Sequence, residues 1–243
     1  MKSYGMTHIG QRRSVNQDYI FYTDEPIGNL PNLYIVADGM GGHKAGDRAS
    51  SFAVEKFIEI VKNDEAQQPF YLMKKVLSMV NHELVLLSRE RPEFEGMGTT
   101  FVAASVLEDS LYVMNIGDSR LYKMENHLTQ VTKDHSLVEE LVRSGQLTKE
   151  EARVHPQKNL ITKALGVEEG IEPDFFQLEM KAGDRILLCS DGLTNMVEDK
   201  NLEKILVSLS DSRKAAEKMI EQANEKGGLD NIAVIVAKKE EER

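Results

Sequence analysis

Cysteine is almost missing from this chain: Cys189 is the single one in 243 residues. One thiol excludes an internal disulfide and fits a reducing compartment. Without further cysteines or a His-x-x-x-His pair, the ligand set of a zinc site is lacking too. Long apolar runs are also missing. No stretch approaches the roughly 20 residues that a membrane span requires, and Met1-Lys2-Ser3-Tyr4-Gly5-Met6 has no apolar core of the kind a signal peptide carries. A cytoplasmic protein without membrane attachment is the expectation. Basic excess is absent: 30 Lys and Arg stand against 40 Asp and Glu, a formal net charge of −10, which argues against general binding to a phosphate backbone. No linker, internal repeat or low-complexity segment interrupts the chain, so one large domain over 1–243 is expected.

What the chain does have is a recurrent strand-then-acid pattern. Tyr34-Ile35-Val36-Ala37 suits a buried strand and runs into Asp38-Gly39-Met40-Gly41-Gly42-His43, which delivers a carboxylate into backbone that bends freely. Ile186-Leu187-Leu188-Cys189-Ser190-Asp191-Gly192 repeats the arrangement, and Gly227-Gly228-Leu229-Asp230-Asn231 sets a third acid just before the strand Ile232–Val236. Asp-Gly alone marks an ordinary turn; agreement among three strand edges points to one metal site. Asp18, ahead of Tyr19-Ile20-Phe21-Tyr22, and Asp118, in the turn Gly117-Asp118-Ser119-Arg120, are two further candidate acids.

Between these acids the periodicity gives helices after Gly46-Asp47 and over about 70–90, both packing against a core. Short strands at 99–107, 111–116, 120–124 and 128–132 read as one antiparallel meander. Residues 134–166 read as a surface excursion with two short helical pieces around Gly145. Strands near 175–179 and 185–190, helices near 199–209 and 212–226, and a last strand at 232–238 complete the chain. The order favours sheets covered by helices in layers over a doubly wound parallel sheet.

Hard carboxylate ligands select magnesium, manganese or calcium over zinc or copper; magnesium or manganese is the inference, and an EF-hand loop is missing. Several acids close together raise each other's pKa, which two divalent ions would relieve. Such a pair, about 3.5–4 Å apart, lowers the pKa of a bridging water from 15.7 towards about 7 and suits in-line phosphate-ester hydrolysis. Other routes fail on the sequence. Six residues after Cys189 stands Asn195 instead of the arginine of a Cys-x5-Arg loop, and Cys189 sits inside an apolar strand as a structural residue. Gly-Asp-x-His-Gly and Gly-Asn-His-Glu signatures are absent. Arg13, five residues before Asp18, is the candidate for holding phosphate. His43 is either a proton donor or a loop hydrogen-bonding residue, while His135 and His155 read as structural.

Taken together, Arg13–Asp18, Asp38–His43, Gly98-Thr99-Thr100, Gly117–Arg120, Ser190–Leu193 and Gly228–Asn231 resemble, in order and over nearly the whole chain, the metal-dependent PPM protein phosphatases (type 2C), particularly compact bacterial members. The resemblance implies an α+β fold, a four-layer α-β-β-α sandwich of two antiparallel sheets flanked by helices, with a dinuclear Mn or Mg site at one end. It implies that Asp38 bridges both ions, that Gly39 offers its carbonyl, that Asp191 and Asp230 hold the first ion, that Asp18 acts through bound water, and that Asp118 helps bind a third metal. Asp38, Arg13 and Asp191 are then the catalytic candidates, and 134–166 is a flap beside the site.

Three positions depart from that pattern: Met40 stands where eukaryotic members often carry a histidine, Gln17 replaces an acid, and Asn195 stands where many relatives place an aspartate. The expected function is hydrolysis of phosphoserine and phosphothreonine in proteins by a monomer that opposes a bacterial Ser/Thr kinase. A catalytically silent phosphoprotein-binding module on the same fold is the alternative, and a divalent-metal nuclease is disfavoured by the acidic balance.

Overall fold

The computed structural model describes residues 1–42 and 45–241. Its strands form two antiparallel sheets. One contains β1 (Lys2–His8), β11 (Ile232–Lys238), β10 (Arg185–Cys189), β7 (Arg120–Met124) and β8 (Leu128–Gln130), side by side in that order. The other runs β2 (Asp18–Thr23), β3 (Leu33–Met40), β5 (Phe101–Leu107), β6 (Ser110–Ile116) and β9 (Asp174–Glu179), with the short β4 (Gly98–Thr99) on the end of β3.

Both faces of each sheet are covered, so central strands are apolar throughout instead of alternating with polar residues. In β3, Leu33, Ile35 and Ala37 pack under α1 (Ala45–Asn63) and α2 (Pro69–Glu90), while Tyr34 and Val36 face the other sheet. In β10, Leu187 and Cys189 lie under α5 (Asp191–Thr194), α6 (Asp199–Ser208) and α7 (Ser212–Glu225), and Ile186 and Leu188 face inward. Three cores separate four layers, helix, sheet, sheet, helix, which is the α-β-β-α sandwich that the resemblance implies. The helices begin where their sequences favour it. Pro69 opens α2 with a preset φ, and Asp211 caps α7 by accepting from Lys214 N–H at 2.9 Å.

Two expectations need correction. The strands from 98 to 132 are not one meander. β5 and β6 pair in one sheet, β7 and β8 in the other, and β6 pairs with β9 instead of β7. The chain changes sheets at Gly117-Asp118-Ser119, where Gly117 adopts a φ of +100° and a Cβ would come 2.6 Å from Thr100 Cβ, so only glycine turns this corner. The second correction is β1, a strand that the sequence pattern hides. Its polar residues and Gly5 dilute the apolar signal, yet it pairs along its full length with β11. At Gly5 a Cβ would sit 2.8 Å from Tyr22 Cδ1, so the missing side chain makes room for the aromatic ring.

Residues 134–166 leave this frame with α3 (Leu137–Arg143) and α4 (Lys149–Val154) on either side of Gly145. Ser136 caps α3, and a reciprocal pair of Thr148 and Glu151 hydrogen bonds caps α4.

Candidate metal centre

Asp18 and Asp38 face each other directly across β2 and β3, on the side turned towards the second sheet. Like charges placed opposite on a ladder repel. Asp38 lies two residues short of the end of β3, which continues through Gly39 and Met40 by pairing with β4. Its N–H donates to Thr100 Oγ1 at 2.9 Å, and its carbonyl accepts from Thr100 N–H at 2.9 Å. Thr100 therefore holds the Asp38 backbone on both sides, through its hydroxyl and its N–H.

The other acids come from the second sheet and its turns. Asp191 opens α5 directly after β10, and Asn195, one turn on, donates to Asp191 Oδ2 at 2.9 Å. Asp230 precedes β11, and Asp118 sits on the corner between the sheets, 7% exposed. Burial raises the Asp38 carboxyl well above its ordinary pKa, and the charges of Asp18, Asp191, Asp118 and Asp230 push it further. One side chain thus feels all four others. Burial likewise raises Asp118 far above the ordinary range, with Asp191 adding to the shift. Asp191 is pushed up to about 6 by burial and then by Asp230.

Asp18 is 5% exposed and pushed up to about 7, chiefly by burial, against which a hydrogen bond from Ser190 works. Ser190 Oγ donates to Asp18 Oδ2 at 2.7 Å and accepts from Ala233 N–H at 2.9 Å, joining the two sheets at the site. Asp18 Oδ1 is buried and has no hydrogen-bond partner among the described residues.

Gly39 lies where the first turn of α1 meets β3. A Cβ there would run into the carbonyl of Gly46, and its N–H donates to Gln17 O at 3.0 Å. Gln17 in this way braces the loop through its backbone. Met40 packs its methyl over Gly98 and offers no proton. The candidate donor His43 lies outside the described residues.

Arg13 is half-exposed, on the loop between β1 and β2, and its Nη2 donates to Asp230 Oδ2 at 2.7 Å. That loop is held by Asn231, whose amide donates to Ile9 O at 2.9 Å and Val15 O at 3.0 Å while its Oδ1 accepts from Gln17 N–H at 2.9 Å. The structure therefore collects Arg13, Asp18, Asp38, Gly39, Asp118, Asp191 and Asp230 at one end of the sandwich. His155 stands apart, accepting from Gln157 N–H after α4, and Cys189 is fully buried, with burial pushing its thiol far above the usual range.

Beside the acids, a cavity of about 320 Å³ separates the 134–166 excursion from the body, bordered by Asp118, Asp191, Asn195, Lys158 and Arg153. Arg153 crosses it to donate to Thr194 O at 3.2 Å. Among the described residues, no three carboxylate, imidazole or thiolate side chains close into a ready-made ion cage. An open ring of acids suits a hard ion that keeps several waters and takes few protein ligands.

Sequence reasoning placed Ser190, Asn231, Thr100 and Ser119 in its motifs but gave them no role; the hydroxyl oxygens of Thr100 and Ser119 stand 2.8 Å apart. Each neighbours a candidate acid or joins the same corner, which is the one signal that marked them.

The family profile described as Protein phosphatase 2C matches residues 4–234. The serine/threonine phosphatase stp of Listeria monocytogenes serotype 4b is 44% identical over 241 residues, covering 96% of this chain and 94% of that protein. The crystal structure of the Mycobacterium tuberculosis serine/threonine phosphatase PstP/Ppp superposes with a TM-score of 0.90 at 35% identity, covering 99% of each chain. The catalytic domain of PstP in complex with 2 manganese ions superposes at 0.88 and 33% identity over 99% of this chain and 98% of that one. The chain belongs to the protein phosphatase 2C family.

Proposed function

We propose that this chain hydrolyses phosphoserine and phosphothreonine in proteins with the help of two manganese or magnesium ions. The observation that carries the reading is the convergence of acids from both sheets on Asp38, whose carboxyl feels Asp18, Asp118, Asp191 and Asp230 at once. The oxygen Asp18 Oδ1, buried without a partner among the described residues, is the kind of group that a cation or its water satisfies. The donor set, oxygen throughout, fits these ions, and the manganese-bound PstP structure supports the choice.

In this reading Asp38 and the Gly39 carbonyl would hold both ions, Asp191 and Asp230 would hold the first, Asp18 would act through bound water, and Asp118 would contribute to a third, looser site. The ions supply a water of lowered pKa and neutralise charge on the reacting phosphate. The chain's own contribution is placement. Thr100 fixes Asp38 through its backbone, Ser190 holds one oxygen of Asp18, and Asn195 orients Asp191. Arg13, half-exposed beside Asp230, binds the substrate phosphate with its guanidinium fork. The acid ring repels a phosphoprotein's anionic group unless this positive charge and the ions offset it.

The whole of 1–243 acts as one catalytic domain, with 134–166 as a flap bordering the cleft. A cytoplasmic monomer that opposes a bacterial Ser/Thr kinase completes the reading, supported by the relatives named as serine/threonine phosphatases. Phosphate release from phosphothreonine, phosphoserine and phosphotyrosine peptides tests it, with manganese and with EDTA. Release from the first two that EDTA abolishes is the expected result. A folded protein that binds these peptides and releases nothing from them is instead a silent binding module.

A further inference from the structure

The two ends of the 134–166 excursion meet in a joint beside the body. Ser136 bridges Ile161, Leu137 N–H donates to Leu160 O at 2.9 Å, and Thr162 N–H donates to His135 O at 2.8 Å. His135 is buried in this joint, and it also grips the corner that carries Asp118. Its N–H donates to Gly117 O at 3.0 Å, and its Nδ1 accepts from Gly117 N–H at 3.0 Å. One residue thus holds both backbone polar groups of Gly117, the glycine before Asp118.

Because Nδ1 accepts, the ring proton resides on Nε2, which faces Asp174 Oδ2 at 3.3 Å. Burial holds the imidazole below its usual pKa, in keeping with that neutral form. On the far side of the corner, Ser119 Oγ lies 2.8 Å from Thr100 Oγ1, the atom that accepts from Asp38 N–H. An unbroken path therefore runs from the flap root through His135, the Gly117–Ser119 corner and Thr100 to the backbone of Asp38.

We propose that His135 is a positioning residue for Asp118: it clamps Gly117 so that the corner presents the Asp118 carboxylate to the site, and it ties that placement to the flap root. The inference rests on the reading of Asp118 as a site acid. Asn115 also donates to Gly117 O, at 3.3 Å, and to Lys133 O, at 3.2 Å. The corner therefore keeps two donors to Gly117 O when the imidazole is removed, the Asn115 amide and the His135 backbone N–H, and what is lost is the acceptor for Gly117 N–H.

The test uses His135→Ala, His135→Asn and His135→Gln in the full chain, alone and with Asp118→Ala. Manganese binding is read by titration calorimetry, kcat and KM on a phosphothreonine peptide, and melting temperature in EDTA. Asparagine offers an acceptor at about the place of Nδ1, while the acceptor of glutamine falls beyond it. The alanine variant is expected to weaken the loosest manganese-binding step 10–100-fold, the range for residues that orient ligands, and to lower kcat more than it raises KM. Asparagine restores most of both. In the Asp118→Ala background, His135→Ala changes neither further. If His135→Ala does not fold, the glutamine variant supplies the loss and asparagine the recovery.

A lower melting temperature with unchanged manganese binding and kcat overturns the proposal, as do losses that simply multiply with those of Asp118→Ala. If Asp118→Ala is itself silent in manganese binding and turnover, the assignment of Asp118 falls and the proposal with it. If Asp118→Ala is impaired and no His135 variant is, the assignment stands and only the positioning role falls.

Discussion

Asp18 and Asp38 stand directly opposite each other on adjacent antiparallel strands, both turned into the space between the sheets. A fold selected for stability alone avoids this pairing, and it makes the site a source of measurable strain.

The pH dependence of that strain has a definite sign. Burial pushes Asp18 up to about 7 in the folded chain, against 3.8 for an ordinary aspartate. The folded state therefore keeps a proton that the unfolded state releases, and this contribution to stability, full below about pH 4, is lost as pH rises through 7. Asp18→Asn keeps an acceptor for Ser190 and carries no charge. In EDTA its stability relative to wild type is expected to be level near pH 4 and to improve by something on the order of 2–4 kcal/mol by pH 8. Urea denaturation at a series of pH values measures it. A difference that shrinks with rising pH contradicts the electrostatic account.

Two glycines are predicted to resist any side chain. A Cβ at Gly39 strikes the Gly46 carbonyl, and one at Gly192 strikes the Asn231 carbonyl, backbone against backbone in both cases. Gly39→Ala and Gly192→Ala should each cost about 3 kcal/mol or more, whereas Gly42→Ala, with nothing among the described residues within 4 Å of the new carbon, should leave the melting temperature nearly unchanged. Thermal melts of the three variants settle the comparison, and an unperturbed Gly192→Ala would contradict the close packing of α5 on the start of β11.

Asn231 staples the loop that carries Arg13 through three hydrogen bonds to backbone. Asn231→Ala leaves those groups unpaired, and a loss of about 2–4 kcal/mol is expected at 1–3 kcal/mol for each group that stays buried. Because the loop is loosened while the Asp38 carboxylate is untouched, KM for a phosphopeptide should rise by a larger factor than kcat falls. Steady-state kinetics on the folded variant checks this.

Arg13 itself should behave as a phosphate ligand. Arg13→Ala is expected to lower kcat/KM about 10- to 100-fold, the value of one or two charge-assisted hydrogen bonds, and Arg13→Lys should recover only part because an ammonium lacks the planar fork. Stability should change little, since the ion pair with Asp230 is half-exposed. Equal kcat/KM in wild type and Arg13→Ala removes Arg13 from the phosphate site.

Much of this arrangement was legible before any coordinates. Apolar strands ending in an acid mark Asp38 and Asp191, and a Gly-Gly-Leu-Asp turn marks Asp230, because a strand end followed by pliable backbone is a local pattern. The two helical layers were equally plain from their apolar spacing. What escaped was whatever depends on partners far along the chain. That Gly117–Ser119 crosses between sheets is decided by β10 pairing with β7 and β9 pairing with β6, and no local signal distinguishes such a corner from a hairpin. Ser190 matters because Asp18, 172 residues away in sequence, lies against it. β1 was hidden because a half-buried edge strand needs few apolar residues.

The central claim is that the acids around Asp38 form one ion-binding, phosphate-releasing site. Its most direct test measures manganese binding by calorimetry and phosphate release from a phosphothreonine peptide on the same preparations of wild type and Asp38→Asn, each checked for folding by its melting transition. The account predicts that wild type binds two ions tightly and turns over, and that folded Asp38→Asn loses both tight binding and turnover together. Retention of turnover by Asp38→Asn, or loss of turnover with both ions still tightly bound, would contradict it.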